Sequence, residues 1–212
     1  MTIHLDTVKS EQPDSRAYHH GALRAALIGA AEAVIAERGL DRFSLRETAR
    51  RAGVSAAAPA HHFGDTRGLL TAIATQAFSD LAGALEAADS AAGPDREARI
   101  KAQGRAYVAF ALERTARFDL MWRKPLLDNN DPQLTEAGSR AFDVLDRVAR
   151  QDGAPSSGPT DPALAPSVAA WSLVHGFARL AIDGAFGATP DSAERAAHSF
   201  LPLILDRLLL DP

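Results

Sequence analysis

The chain contains no cysteine, which excludes a disulfide framework and thiolate metal sites and suits a reducing cytoplasm. No apolar run approaches the length of a membrane span. The N-terminal MTIHLDTVKSEQPDSR lacks the apolar core of a signal peptide, so a soluble cytoplasmic protein without a membrane partner is expected. No segment alternates with period two, valine and isoleucine are few, and no internal repeat stands out. Neither a Gly-rich phosphate loop nor a Ser/His/Asp arrangement is visible, so no catalytic residue and no cofactor is assigned. What remains is a helical chain of 212 residues, 46% hydrophobic, with a net charge of −4. Residues 1–70 hold nine Lys and Arg against eight Asp and Glu. Residues 71–212 hold fourteen against nineteen. An N-terminal part able to approach phosphates, followed by an acidic remainder, fits a two-part molecule.

Ser44 to Phe63, SLRETARRAGVSAAAPAHHF, reads as a helix-turn-helix. Ser44 and Glu47 have the spacing of a capping box. Leu45, Ala49 and Ala52 form an apolar stripe, Gly53 suits the left-handed residue after a helix, and Val54 is a buried-type turn residue. Ser55 is placed to cap a second helix. Two short helices joined by a Gly-containing turn are the geometry that inserts one helix into a DNA major groove.

Helices are expected over about Gly21–Arg38, with Gly39 as its stop, and from the cap Asp65 to about Ala87. Others are expected over Asp95–Arg114, in a short segment Phe118–Arg123, and over Asp131–Asp152, opened by Asp131-Pro132. Gly153 to Pro162 reads as a linker. Two apolar helices, Ala163–Phe186 and Asp191–Leu210, close the chain. The fold class is therefore all-α, with an N-terminal helix-turn-helix part followed by a larger helical remainder.

From Tyr18 to about Ala77, the run YHHGALRAALIGAAEAVIAERGLDRFSLRETARRAGVS followed by APAHHFGDTRGLLTAIA resembles the tetracycline-repressor (TetR) family of transcriptional regulators. Trp171-Ser172-Leu173-Val174-His175-Gly176 resembles the W-x-x-x-H-G signature of one branch's C-terminal domain. Residues 1–17 are polar and read as a disordered arm. The resemblance implies an N-terminal three-helix DNA-binding domain over 18–80 with its helix-turn-helix at 44–63, and a larger helical C-terminal domain for effector binding and dimerisation over 81–212. It also implies a homodimer that represses by occupying a palindromic operator in double-stranded DNA. A small molecule entering the C-terminal domain would swing the helix at Asp65–Ala87 and change the separation of the two reading helices, which must match half-sites about 34–36 Å apart.

Relatives commonly carry tyrosine where Ala60 stands and lysine where Thr66 stands. The reading helix, expected at Ser55–His62, contains no Arg, Lys, Asn or Gln, the usual readers of base edges. The residues assigned to DNA are Arg46, Ser55, Ala56, Ala57, His61, His62, Thr66 and Arg67, with Arg67 taking the phosphate role left open at Thr66. Arg16, His19 and His20 on the arm would add backbone or minor-groove contacts. A salt-sensitive, shape-dependent readout follows. His61 and His62, with His19 and His20, have no spacing that enforces a metal site, and none is assigned. Phe63 is read as core.

Phe78, Leu81, Tyr107, Phe110, Met121, Trp122, Phe142 and Phe177 stand at helical spacings that suit either a core or an apolar effector pocket. Trp171 and His175 share one helix face. They either join that pocket and position a neighbouring helix, or form a packed tryptophan and a hydrogen-bonded core histidine. A small, mostly apolar effector is expected. The apolar residues of the last two helices cover more than one face, so these helices are assigned to a homodimer interface. Two other readings stay open: a TetR-fold interaction protein without specific DNA binding, and a helical enzyme using the C-terminal cavity with His175 as base.

Overall fold

A computed structural model describes residues 15–150 and 156–207, with the side chains of residues 15–20 outside the description. All the regular structure among the described residues is helical. The chain divides into two compact units between Gly64 and Asp65. The helix starting there, which the sequence reading shares between two domains at residue 80, falls wholly in the second unit.

The first unit consists of α1 (Ser15–Arg38), α2 (Leu45–Arg51) and α3 (Ala58–Phe63). Helix α1 begins six residues before the expected Gly21, because Ser15–His20 contains no Gly or Pro to stop it. Arg16, His19 and His20 are therefore part of α1, while residues 1–14 of the expected arm lie outside the described residues. Leu27, Ile28, Ala31, Val34 and Ile35 bury the inner face of α1, and Thr48, Ala49 and Pro59 are buried on α2 and α3. Gly39, at φ +75°, and Gly53, at φ +68°, end α1 and α2 in the left-handed region. At the second stop the amide of Gly53 donates to the Arg50 carbonyl (3.2 Å) and that of Val54 to the Ala49 carbonyl (3.0 Å), which satisfies two end carbonyls of α2. Val54 is half-buried.

Two expected caps do not form. The Ser44 side chain makes no cap bond, and Glu47 does not reach back to it. Its carboxylate instead accepts from Arg38 (3.1 Å), Arg50 (2.8 Å) and Arg51 (2.9 Å). Three guanidinium groups offer the carboxylate opposite charge and several charge-assisted bonds where a capping box offers one backbone amide. Ser55 does not cap α3, which starts at Ala58 behind Ala57. Pro59 has no amide hydrogen and is accommodated only in a first turn, so the helix begins one residue before it.

The second unit contains α4 (Thr66–Ala91), α5 (Arg96–Glu113), α6 (Thr115–Met121), α7 (Pro132–Ala149), α8 (Ala165–Ile182), α9 (Pro190–Ser199) and α10 (Leu201–Arg207). Asp65, Asp95 and Asp131 cap α4, α5 and α7, accepting from the amides of Gly68 (2.8 Å), Ala98 (2.7 Å) and Leu134 (2.9 Å). Each bond satisfies one donor that a helix start leaves without a partner. Helix α4 packs along α5 and α7, and α5 packs against α8. Phe118 on α6 is fully buried at the centre of the apolar cluster.

The expected closing helix is broken into α9 and α10 around Phe200. Pro202 cannot donate to the preceding turn, and its ring displaces the carbonyl there, so one helix ends and another begins. Helix α8 ends at Ile182, four residues before the expected Phe186, and α7 ends at Ala149, short of Asp152. Residues 151–155 of the expected linker and Leu208–Leu210 lie outside the described residues.

Candidate ligand cavity and nucleic-acid interface

Several arginines in or beside the first unit's helices were open to a role on DNA, and the ion pairs sort them. Glu47 holds Arg38, Arg50 and Arg51, and Arg51 also pairs with Glu37. The donated bonds from Arg50 and then Arg51 hold the Glu47 carboxyl down at about 2. Arg24 lies over the Phe63 ring, 5.2 Å from its centroid, so Phe63 is half-buried beneath a cation and not a core residue. Arg46, exposed on α2, has no ion pair within the described unit. Ser55, Ala56 and Ala57 lie exposed in the turn before α3, outside the helix in which the sequence places them. His61 is exposed and His62 half-buried, with ring centroids 5.5 Å apart. Thr66 and Arg67 are exposed in the first turn of α4, in the second unit.

The second unit contains a partly open cavity of about 740 Å³ among α4, α5, α7, α8 and α10. Of the residues the sequence assigns to an effector pocket, Phe78, Leu81, Tyr107, Trp122, Phe142 and Trp171 line it. Phe110, Met121 and His175 do not. Phe110 lies one turn beyond Tyr107 on α5, and Met121 is packed in the core cluster. Phe177 is likewise core, stacked on Phe186 at 5.3 Å.

His175 lies behind the lining and organises it. Its Nδ1 is 2.8 Å from the Tyr107 hydroxyl, and its ring is 4.8 Å from that of Trp122. The Trp171 indole N–H donates to the same hydroxyl at 3.4 Å, and the Tyr107 O–H remains available to donate to His175 Nδ1 in the tautomer that carries its proton on Nε2. Burial, and then the nearby Arg179 guanidinium, pulls the His175 pKa below its ordinary value, which favours the neutral ring. Burial pushes the Tyr107 phenol up, so it stays protonated.

The sequence reading missed the polar lining. Gln103 is buried on α5, four residues before Tyr107 and so on the same face. Asp146 on α7 also lines the cavity; it accepts from Arg150 (2.9 Å) and from the Ser167 hydroxyl (2.6 Å). The Arg150 bond is the main cause of its lowered pKa. Gln103 stands four residues from Tyr107 and Asp146 four from Phe142, so helical spacing carries the signal for both, whereas apolar periodicity does not. Among the described residues, no three His, Asp or Glu side chains are grouped to hold a metal ion, and no helix is long and apolar enough to cross a membrane.

Residues 27–73 match the family model for bacterial regulatory proteins of the tetR family, and residues 100–202 match the tetracyclin repressor-like C-terminal domain. A Rhodococcus sp. RHA1 protein of unknown function is 37% identical, with a TM-score of 0.68 over 91% of this chain and 98% of its own. The TetR family transcriptional regulator PfmR from Thermus thermophilus shares the fold at 24% identity and a TM-score of 0.62, covering 85% of this chain and 97% of its own. The TetR-like regulator LfrR from Mycobacterium smegmatis, in complex with proflavine, does so at 21% identity and 0.58, covering 85% and 95%. No curated protein matches the chain.

Proposed function

The chain belongs to the TetR family of bacterial transcriptional regulators, and from that premise we propose that it is a repressor released from a palindromic operator by a small molecule bound in the second unit. The observation that carries this reading is the aromatic-lined cavity, which lies in a different compact unit from the helix-turn-helix. A pocket of this size, with a few converging polar groups, suits a drug-sized ligand. That a fold relative is described in complex with proflavine supports a ligand in the same architecture.

A physical route from cavity to α4 is available. Trp122 and Lys124 line the cavity. The next turn presents the Asp128 amide, which donates to Thr71 Oγ1 at 2.9 Å, and Thr71 in turn donates to the Arg67 carbonyl at 2.8 Å. A ligand that displaces Trp122 therefore bears on the first turns of α4, where Thr66 and Arg67 stand. A shift of one helix turn or less suffices to break the match between two half-sites. Homodimerisation is assigned to α8–α10, where Val168, Leu180, Phe200 and Leu203 leave large apolar side chains in solvent.

On DNA, Arg46, Ser55, Ala56, Ala57, His61, His62, Thr66 and Arg67 form the proposed contact set. Helix α3, APAHHF, brings no amide or guanidinium to a base edge, so methyl contacts and the shape of the duplex carry the selectivity. The same observation supports a second reading, a ligand-binding member of the family without specific DNA binding. Selection from a randomised duplex library decides between them. A palindromic winner with steep salt dependence is expected; no enrichment by a folded dimer would establish the second reading.

A further inference from the structure

Trp171 and His175 stand one turn apart on one face of α8, yet only the tryptophan lines the cavity. His175 is half-buried behind the wall. Its ring centroid lies 4.8 Å from that of Trp122, 5.9 Å from that of Trp171 and 6.3 Å from that of Tyr107. Three of the five aromatic rings that line the cavity therefore rest against one imidazole. Fully buried Phe118 packs on it as well, at 5.5 Å. Its Nδ1 is held in place by the 2.8 Å bond with the Tyr107 hydroxyl.

That bond differs between the two charge states of the ring. With Nδ1 unprotonated, the phenol donates to it and accepts from the Trp171 indole, and all three groups are satisfied. In the imidazolium both nitrogens donate. Nδ1 then adds a second donor to the phenol oxygen, and the phenol proton loses its acceptor in a buried place. The ionisable groups around the ring are the Tyr107 phenol from α5, Asp119 from α6, and Arg179 and Asp183 from α8. Arg179 pairs with both carboxylates, at 2.7 Å for Asp183. Among the described residues, α7 and α9 also pack on α8 but bring no charge to bear on the imidazole. Burial, and then Arg179, favour the neutral ring, the state that suits the assembled wall.

We infer that His175 is a positioning residue of the cavity: its neutral imidazole sets Tyr107, Trp122 and Trp171 in the arrangement that receives a ligand, and a proton on that ring loosens the wall and weakens ligand binding. The inference rests on the cavity being the effector site, and it makes the hold on an effector depend on pH. One proton is involved, so the affinity falls by at most about tenfold per pH unit below the titration of the ring.

The test uses the full-length protein and probes that carry no charge between about pH 5 and about pH 8: acridone, phenanthrene and the smaller naphthalene. Trp122 and Trp171 are the two tryptophans of the chain, so intrinsic fluorescence reports both the state of His175 and the bound probe. Wild-type affinity is expected to fall at least about fivefold between these two pH values, with a fluorescence step as the charged ring forms beside the indoles. His175→Gln keeps a group able to accept from the phenol but takes up no proton, and should show neither change. Tyr107→Phe leaves no phenol to strand, and should keep the step but show a shallower fall. The other histidines titrate alike in all three proteins and cancel. A merely structural role would lower the affinity of each variant by one factor at every pH. A wild-type affinity that stays level on acidification, or a fall that survives in His175→Gln, overturns the positioning role and leaves the effector site standing. Failure of every probe to bind at the upper pH would sink both.

Discussion

Replacing Tyr107 by Phe removes one oxygen from the wall of the cavity and keeps the ring. The hydroxyl serves two partners: His175 Nδ1 at 2.8 Å and the Trp171 indole at 3.4 Å. The second bond is near the geometric limit and contributes little. The first is well formed, and its loss strands a half-buried imidazole nitrogen, so the expected cost is about 1–3 kcal/mol. For a unit of this size that lowers the melting temperature by between about 2 and 12 °C. The pH dependence is the sharper signal. Burial and then Arg179 hold the His175 pKa below its ordinary 6.5. The unfolded chain protonates this histidine first, so stability is fully present above 6.5 and is lost as pH falls toward the folded value. The Tyr107 hydroxyl donates only to unprotonated Nδ1, so removing it lets His175 protonate more easily in the fold. The variant should therefore lose less on acidification, and the gap between the two proteins, measured by thermal unfolding, should narrow between about pH 8 and about pH 5. The carboxylates titrate alike in both proteins and cancel in the comparison. A gap that is constant or widens in acid would refute the reasoning, because the proton would then reside on Nδ1 with the hydroxyl accepting it.

Three further outcomes are expected. Glu47, held at about 2 by its arginines, stabilises the first unit above its unfolded value of 4.5, and that support is lost as pH falls through about 2; Glu47→Gln should flatten this acid transition in amide exchange at Ala49 and Val54. Arg67→Ala should weaken DNA binding nearly uniformly across duplexes and reduce the salt slope by about one; a change confined to one base position would contradict its phosphate role. Leu203, 63% exposed on α10, should dissociate the dimer when changed to Asp, with sedimentation at micromolar concentration as the readout and the helix content unchanged.

The element order was legible because its signals are local. Asp65, Asp95 and Asp131 cap the helices they precede, and Gly39 and Gly53 stop theirs with one backbone angle each. The sequence reading went astray where the outcome depends on competition. Glu47 had a capping role available but lies within reach of three guanidinium groups, one of them on α1, nine positions away. Pro59 and Pro202 were absorbed into apolar runs, although each forces a helix to start within a residue or two of itself. The cavity's aromatic wall was readable at Phe78, Tyr107, Trp122, Phe142 and Trp171, since large rings must be buried somewhere. How its polar lining is held was not, because Gln103 depends on Asp89 and Val144, residues brought there by two other helices.

The decisive measurement is the affinity of the dimer for its selected duplex, with and without the compound that most raises the protein's melting temperature. A compound in the cavity is expected to weaken DNA binding at least about fivefold, and the duplex to weaken the compound's binding by the same factor, as linkage requires. A compound that fills the cavity, shown by loss of its binding in Trp122→Ala, which removes a ring from the wall, yet leaves the DNA affinity unchanged would contradict regulation through this site.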